Sequence, residues 1–323
     1  SGFPAIDGFS DGSALIVNHS ADGGGVQRAQ AYKDLAPGIG SFTRLDAPGN
    51  NAYIWPRAIS TTSIALSNKF VMIASINGQD TTRRNTCTDY NFTPGTWLGW
   101  TTIPSDQAEA FSLGRGTDGR IGVAFRNNDA MQPNDYADVW FMESTNNGTS
   151  FSAPLKIFDA NFSTDSLGLL RGISIVYRGI SPAVVFETIK QAETGFFPGS
   201  PAKIRFWSNT LPGSDPNRSV VVADTNRVGF HPYIGVNDIM ASLCRPNIGV
   251  SANGNVLFVS FSVPSDELGG AADTTVFMDI WLAASPDGGL TWPYLSKINP
   301  TAPRKDWRYV SMSKWNDVIG SNY

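Results

Sequence analysis

Four arginines hold corresponding places in the chain. Arg57 follows Trp55-Pro56, Arg171 stands in Leu170-Arg171-Gly172, Arg245 in Cys244-Arg245-Pro246 and Arg308 in Trp307-Arg308-Tyr309, and each opens a run with the composition of a first β-strand. A planar guanidinium suits a carboxylate or sulfate, which it can hold through two parallel hydrogen bonds. Arg57, Arg171, Arg245 and Arg308 are therefore the ligand-binding candidates, provided their strands converge on a shared axis. The same recurrence also follows from repetition alone, with each side chain bonding a backbone carbonyl or an acidic neighbour between sheets. Asp129, Asp135 and Asp138 cluster in one loop and offer hard oxygen ligands for Ca²⁺, although solvated loop acids have the same spelling. No other cofactor is expected. His19 and His231 are too few for a histidine metal site and read as loop or cap residues. Cys87 and Cys244 form neither a disulfide framework nor a zinc site; two buried thiols and a single disulfide both fit.

The elements that must position these groups are strands. Only 16% of the 323 residues are charged, while Gly 32, Pro 20 and much Ser, Thr and Asn fill the difference, which suits many short strands joined by turns. No block of Glu, Lys and Ala announces a long surface helix. The net charge is -4 and the basic residues are scattered singly, so neither nucleic acid nor an anionic membrane surface is an expected partner. The longest apolar runs, such as Val256-Leu257-Phe258-Val259, have strand length and fall short of the roughly 20 residues of a membrane span, so no membrane insertion is expected.

Self-similarity with a period of roughly 40 to 60 residues organises the whole chain. In the clearest unit Ala110-Phe111-Ser112-Leu113, the turn Thr117-Asp118-Gly119 and Arg120 to Phe125 are followed by Asp138 to Ser144, the turn Asn146-Asn147-Gly148 and a last strand near Phe158. The unit around Arg245 to Ile298 repeats this grammar. Asn-Gly and Asp-Gly between apolar runs are hairpin signals because tight turns need positive φ. The units run approximately over 3–50, 53–105, 107–160, 166–224 and 229–299, with a further one starting at 306–323. The expectation is an all-β, single-domain β-propeller over 1–323, built of four-stranded antiparallel blades; either its termini share a blade, or part of a six- or seven-bladed ring lies outside this chain.

One octapeptide is more specific than the repeat. Ser285-Pro286-Asp287-Gly288-Gly289-Leu290-Thr291-Trp292 matches the Asp-box pattern Ser-x-Asp-x-Gly-x-x-Trp, and Ser144-Thr145-Asn146-Asn147-Gly148-Thr149-Ser150-Phe151 matches it with Asn for Asp and Phe for Trp. Ser144, Asn146, Gly148, Phe151, Ser285, Asp287, Gly289 and Trp292 read as a structural hairpin lock: a side-chain oxygen accepts from turn amides, glycine takes a left-handed conformation and the ring packs beneath. On these residues the chain resembles the sialidase-like, Asp-box (BNR) repeat propellers. The run Arg304 to Ser313 after Ile298-Asn299-Pro300 is similar to repeats in bacterial surface proteins exported by the type IX system, which implies an extracellular or cell-surface location.

The resemblance also implies what an enzyme would need. Sialidases hold the substrate carboxylate with three arginines and use a tyrosine activated by a glutamate as nucleophile. Here Tyr177, Tyr309 and Glu187 are the residues such roles would fall on, yet the Arg-Ile-Pro signature of a sialidase first blade is absent. The leading expectation is a secreted, non-catalytic recognition or structural module for a glycan or another surface component. The alternatives are an exo-acting glycoside hydrolase of sialidase type, or a self-assembling extracellular subunit packing through aromatic loops such as Trp97 to Trp100.

Overall fold

The computed structural model describes residues 2–21, 24–49, 52–61, 69–88, 95–106, 108–127, 137–160, 166–192, 195–213, 218–233, 240–270, 273–300 and 305–316. Five sheets follow one another along the chain. The first has the order β1 (Gly2–Gly8), β2 (Ala14–Ala21), β3 (Gln27–Asp34), β4 (Phe42–Asp46). In the second, β5 (Tyr53–Ser60), β6 (Phe70–Ile76) and β7 (Thr82–Thr88) are followed by two short pieces, β8 (Thr96–Trp97) and β9 (Thr101–Ile103), both paired with β7. The third has the order β10 (Phe111–Arg115), β11 (Ile121–Asn127), β12 (Asp138–Ser144), β13 (Leu155–Phe158). In the fourth, β14 (Leu167–Gly168), β15 (Ile173–Arg178) and β17 (Gly195–Phe196) all pair with the long β16 (Ser181–Ala192), and β18 (Lys203–Ser208) and β19 (Val220–Asp224) complete the sheet. After a single turn of helix, α1 (Thr225–Val228), the fifth is built from β20 (Cys244–Ser251), β21 (Leu257–Gly270), β22 (Asp273–Ser285) and β23 (Tyr294–Lys297). These four-stranded antiparallel meanders define an all-β β-propeller fold. The chain forms two compact units, residues 1–123 with 142–154 and residues 124–141 with 155–323.

Each sheet is made by local signals. Gly12, Gly119 and Gly254 sit at positive φ between the first two strands of their sheets, and Gly179 does so between β15 and β16, as a tight reversal requires. In three of these turns the preceding Asp or Asn accepts the amide two residues on: Asp11 from Ser13, Asp118 from Arg120 and Asn253 from Asn255. The second strands carry the core. All seven residues of β6 are buried and the first five of β11 are too. A strand covered on both faces reads as a continuous apolar run instead of an alternating one.

Two turns between third and fourth strands share one wiring. Ser144 Oγ donates to Asn146 Oδ1 (2.9 Å) and accepts the Gly148 amide (2.9 Å), while the Ser150 amide returns to Asn146 Oδ1 (2.9 Å). Ser285 Oγ donates to Asp287 Oδ1 (2.8 Å) and accepts the Gly289 amide (2.8 Å), and the Thr291 amide and hydroxyl both reach Asp287. Burial alone would raise the Asp287 pKa, but the bonds from Thr291 and Ser285 hold it below the ordinary carboxylate value. Both glycines press on the neighbouring sheet of their own unit. A Cβ on Gly148 would lie 2.1 Å from Val71 of β6, and one on Gly289 2.1 Å from the Phe206 ring of β18. Trp292 packs on the same ring at 5.5 Å. Phe151 instead lies beneath the Arg84 guanidinium, 4.5 Å away.

The segment expected to open a further blade at 306–323 takes another course over its described part. Residues 305–314 have no regular strand and cross the fifth sheet: the Trp307 amide bonds Met278 O on β22, Ser262 Oγ on β21 bonds Arg308 O, and Asn247 Nδ2 on β20 bonds Val310 O. The segment ends as β24 (Trp315–Asn316), parallel to β20. Its residues are exposed or half-buried throughout, so it lacks the apolar faces of a central strand. Gly249 gives it room, since a Cβ there would lie 2.3 Å from Ser313 O.

Gly289→Ala combines a φ of 95° with collision against Phe206, and the expected loss is about 2 kcal/mol or more. Chemical denaturation measures it. Gly213, at φ 100° with open space around it, is the control and should cost about 1 kcal/mol.

Candidate functional site

In the second unit a buried carboxylate organises the ground beneath the site. Glu187 on β16 is 1% exposed and accepts three backbone amides: Arg171 (3.0 Å) and Gly172 (2.9 Å) at Oε1, and Arg245 (2.6 Å) at Oε2. The Arg245 amide is aimed at it because Arg245 stands at φ 55°, in a register break of β20 between Cys244 and Asn247. A non-glycine residue at positive φ is uncommon, and Pro246 restricts Arg245 further. Only glycine fits at 172, where a Cβ would lie 2.3 Å from Glu187 Oε2.

The first unit repeats the device with different chemistry. Trp55, also followed by proline, stands at φ 50° in the register break of β5, and its amide bonds Nδ1 of His19 on β2 at 3.0 Å. An accepting Nδ1 carries no proton, so His19 is neutral here, and burial lowers its pKa below the ordinary histidine value.

The predicted site residues are distributed accordingly. Tyr177 is fully buried at the end of β15 and Glu187 is spent on three amides, so neither can meet a substrate in this arrangement. Arg57 donates to Phe111 O on β10 (2.6 Å) and stacks on the Phe111 ring at 5.3 Å. Arg171 contributes its amide to Glu187. Arg245, Arg308 and Tyr309 do come together. Tyr309 is 66% exposed, and the Arg245 guanidinium lies over its ring, 5.8 Å from the centroid. Arg308 Nε bonds Asp306 and Nη2 bonds Val276 O (3.2 Å). Burial works against the Arg308 charge, but Asp306 and the Tyr233 hydroxyl hold its pKa above the ordinary value. Ile280, Asp306, Trp307, Arg308 and Tyr309 line an open cleft of about 400 Å³. Asp306 and Trp307 stand in the run from Arg304 to Ser313 but bear no mark of a site in the sequence, since only the crossing course of their segment brings them to the cleft.

Two further clusters resolve as internal ties. Asp138 is fully buried, bonded by the Ala160 amide (2.7 Å) and paired with Lys156 (2.8 Å), so it is not an open ligand for Ca²⁺; Asp129 and Asp135 lie outside the described residues. Among the described residues no group of three or more His, Cys, Asp or Glu could hold a metal ion. In the first unit the first strands of three sheets meet at Asp7, Ser60 and Arg115. Arg115 pairs with Asp7 (2.9 Å) and also bonds Ser60, whose amide reaches Asp7 at 2.7 Å. No sequence motif marks this triad, which is visible only once β1, β5 and β10 are side by side. The Ser144 and Ser285 turns are each locked by their own bonds. Cys87 and Cys244 are both buried thiols, not joined in a disulfide, and no described helix is long and apolar enough to cross a membrane.

With this geometry in hand, solved structures place the fold. The chain is similar to a Penicillium chrysogenum alpha-L-arabinanase complexed with arabinobiose, at 11% identity and a TM-score of 0.50, over 90% of this chain and 79% of that one. It is also similar to a Hadza microbial sialidase (13% identity, TM-score 0.45, 92% of this chain) and to a thermostable family-43 glycoside hydrolase (16% identity, TM-score 0.42, 96% and 98% of the two chains). The chain spans 58% of the length of that sialidase. At these identities the likeness is one of fold. No protein-family model matches the chain, and no curated protein does.

Two stability measurements follow. Glu187→Ala strands three amides and should cost about 3 kcal/mol or more. For His19, the folded pKa is depressed, so the unfolded chain binds the proton more readily. Its contribution is complete above the unfolded value of about 6.5 and declines as pH falls through that value towards the folded one. Unfolding at pH 7.5 and pH 5 should show the loss in the native chain and a smaller loss in His19→Asn, whose side-chain carbonyl accepts without titrating.

Proposed function

We propose that the chain is a glycan-directed β-propeller, secreted or exposed at a cell surface. The observation that carries this reading is the open cleft on the fifth sheet, where an exposed aromatic ring stands beside a carboxylate and a guanidinium. Such a concave mixture of apolar area and a few convergent polar groups is the usual form of a small-ligand site. The fold likeness supports a glycan as the ligand, because the arabinanase was solved with arabinobiose bound. The two turns that match the Asp-box pattern and share their wiring support the sialidase-like kinship, and the surface location with it.

Of the two forms this reading takes, a glycoside hydrolase has the better support, since the arabinanase that shares the fold is itself a hydrolase. A sialidase-type nucleophile built on Tyr177 and Glu187 is not part of it, given their burial. That same burial favours the second form, a non-catalytic module that binds its glycan without cleaving it.

Turnover of a panel of fluorogenic glycosides, including α-L-arabinofuranoside, β-galactoside and α-sialoside, separates the forms. Under the hydrolase reading at least one is cleaved, and Asp306→Asn, which removes the cleft carboxylate as a general acid or base, lowers its kcat/KM by about 100-fold or more. Binding on a glycan array without any turnover selects the recognition module. The absence of both turnover and binding overturns the proposal.

A further inference from the structure

We infer that Asn77-Gly78, in the turn between β6 and β7, is a site of spontaneous covalent modification, where the Asn77 side chain cyclises on the Gly78 nitrogen and opens to aspartate and isoaspartate. The step is independent of the glycan-directed reading and needs no second protein.

The sequence holds three Asn-Gly pairs, Asn77-Gly78, Asn147-Gly148 and Asn253-Gly254, and does not rank them. In each the following residue has no Cβ to crowd the attacking nitrogen. That nitrogen must also give up its proton, which a hydrogen-bonded amide resists. The Gly78 nitrogen then attacks Cγ of Asn77: an N–Cγ bond forms, the Cγ–Nδ2 bond breaks, and ammonia leaves with the Gly78 proton. Water opens the cyclic imide. Addition at Cγ gives aspartate, and addition at the backbone carbonyl of residue 77 gives isoaspartate, with the chain running through the former side chain. Water is the only co-reactant.

Two of the pairs are locked by the fold. Gly148 is buried, its amide is held by Ser144 Oγ at 2.9 Å, and its carbonyl accepts Thr86 Oγ1 at 2.7 Å. The Gly254 amide bonds Ser251 O at 2.8 Å, while Asn253 Oδ1 accepts Ser251 Oγ (2.7 Å) and the Asn255 amide (3.0 Å). Neither pair can reach the attack geometry without breaking these bonds.

Asn77-Gly78 is held only at its ends. The Asn77 amide bonds Ala52 O at 2.7 Å and the Gln79 amide bonds Ile76 O at 3.1 Å. Between them, no described group accepts the Gly78 amide or bonds the Asn77 side chain. Both residues are exposed, and nothing lies within 4 Å of where a Gly78 Cβ would stand. The product adds a carboxylate to the turn, and its isoaspartate form lengthens the backbone between β7 and β6, the strand buried along its whole length.

Peptide mapping by mass spectrometry tests this on the native chain held for weeks at mildly alkaline pH, beside the same chain in denaturant. Each pair is scored by its native rate relative to its denatured rate. Asn77 should keep its denatured rate within a small factor. Asn147 and Asn253 should fall behind theirs by about tenfold or more, because hydrogen bonds must break before attack. Asn77→Gln, an exposed change, should remove the acidic species that accumulates first in the native chain. Hydrogen exchange should find the Gly78 amide fast and the Gly148 and Gly254 amides protected. Native protection of Asn77 as strong as that of the other two pairs would overturn the inference, as would a slowly exchanging Gly78 amide or conversion led by Asn147 or Asn253.

Discussion

A single carboxylate sets the conditions for the arrangement in the second unit. Glu187 sits in the core with both oxygens turned to backbone amides, two from the chain just before β15 and one from β20. A buried carboxylate without partners is costly, so the fourth and fifth sheets are bound to present these amides to it. The Arg245 amide can turn inward only if the residue adopts positive φ ahead of a proline, and that same turn sends its guanidinium to Tyr309. The platform in the cleft is thus a downstream result of the carboxylate's hydrogen bonds. The first unit meets the same backbone requirement at Trp55 with a neutral imidazole, which satisfies the amide without burying a charge.

The second constraint is the covering of sheet faces. The second and third sheets bury their second strands on both sides, and two third-to-fourth turns come so close to the adjoining sheet that only glycine fits at 148 and 289. Arginines are drawn into this packing instead of being left for ligands. Arg57 ends on a carbonyl of β10, and Arg115 ends between Asp7 and Ser60. Repetition of a residue type along the chain is therefore a weak guide to function in such a fold. The cleft proposed as the functional surface forms where the repeat is broken, along residues 305–316, which lie across the fifth sheet.

How much of this is legible in the sequence depends on the range of the interaction responsible. Strand content, the turns at Gly12, Gly119 and Gly254, and the shared wiring of the Ser144 and Ser285 octapeptides follow from contacts within a few residues, and local spelling specifies them. Asp138 is a different case. As part of an acidic loop it reads as solvent-exposed or cation-binding, and only the approach of Lys156 and the Ala160 amide from β13 and its end converts it to a core ion pair.

The amino-acid sequence by itself determined that this chain makes repeated four-stranded meanders, because hairpin turns and apolar runs act over short distances and need no knowledge of the rest. It also marked Arg245, Arg308 and Tyr309 as residues of interest. Which of them face solvent, and which carboxylate is consumed as structure, was decided only when separate sheets came together. Glu187 and Tyr309 differ little as isolated letters; one is buried under amides supplied by residues up to 58 positions away, the other stands open on a crossing segment held by Ser262 and Asn247. Long-range packing allots those environments, and no local pattern encodes them.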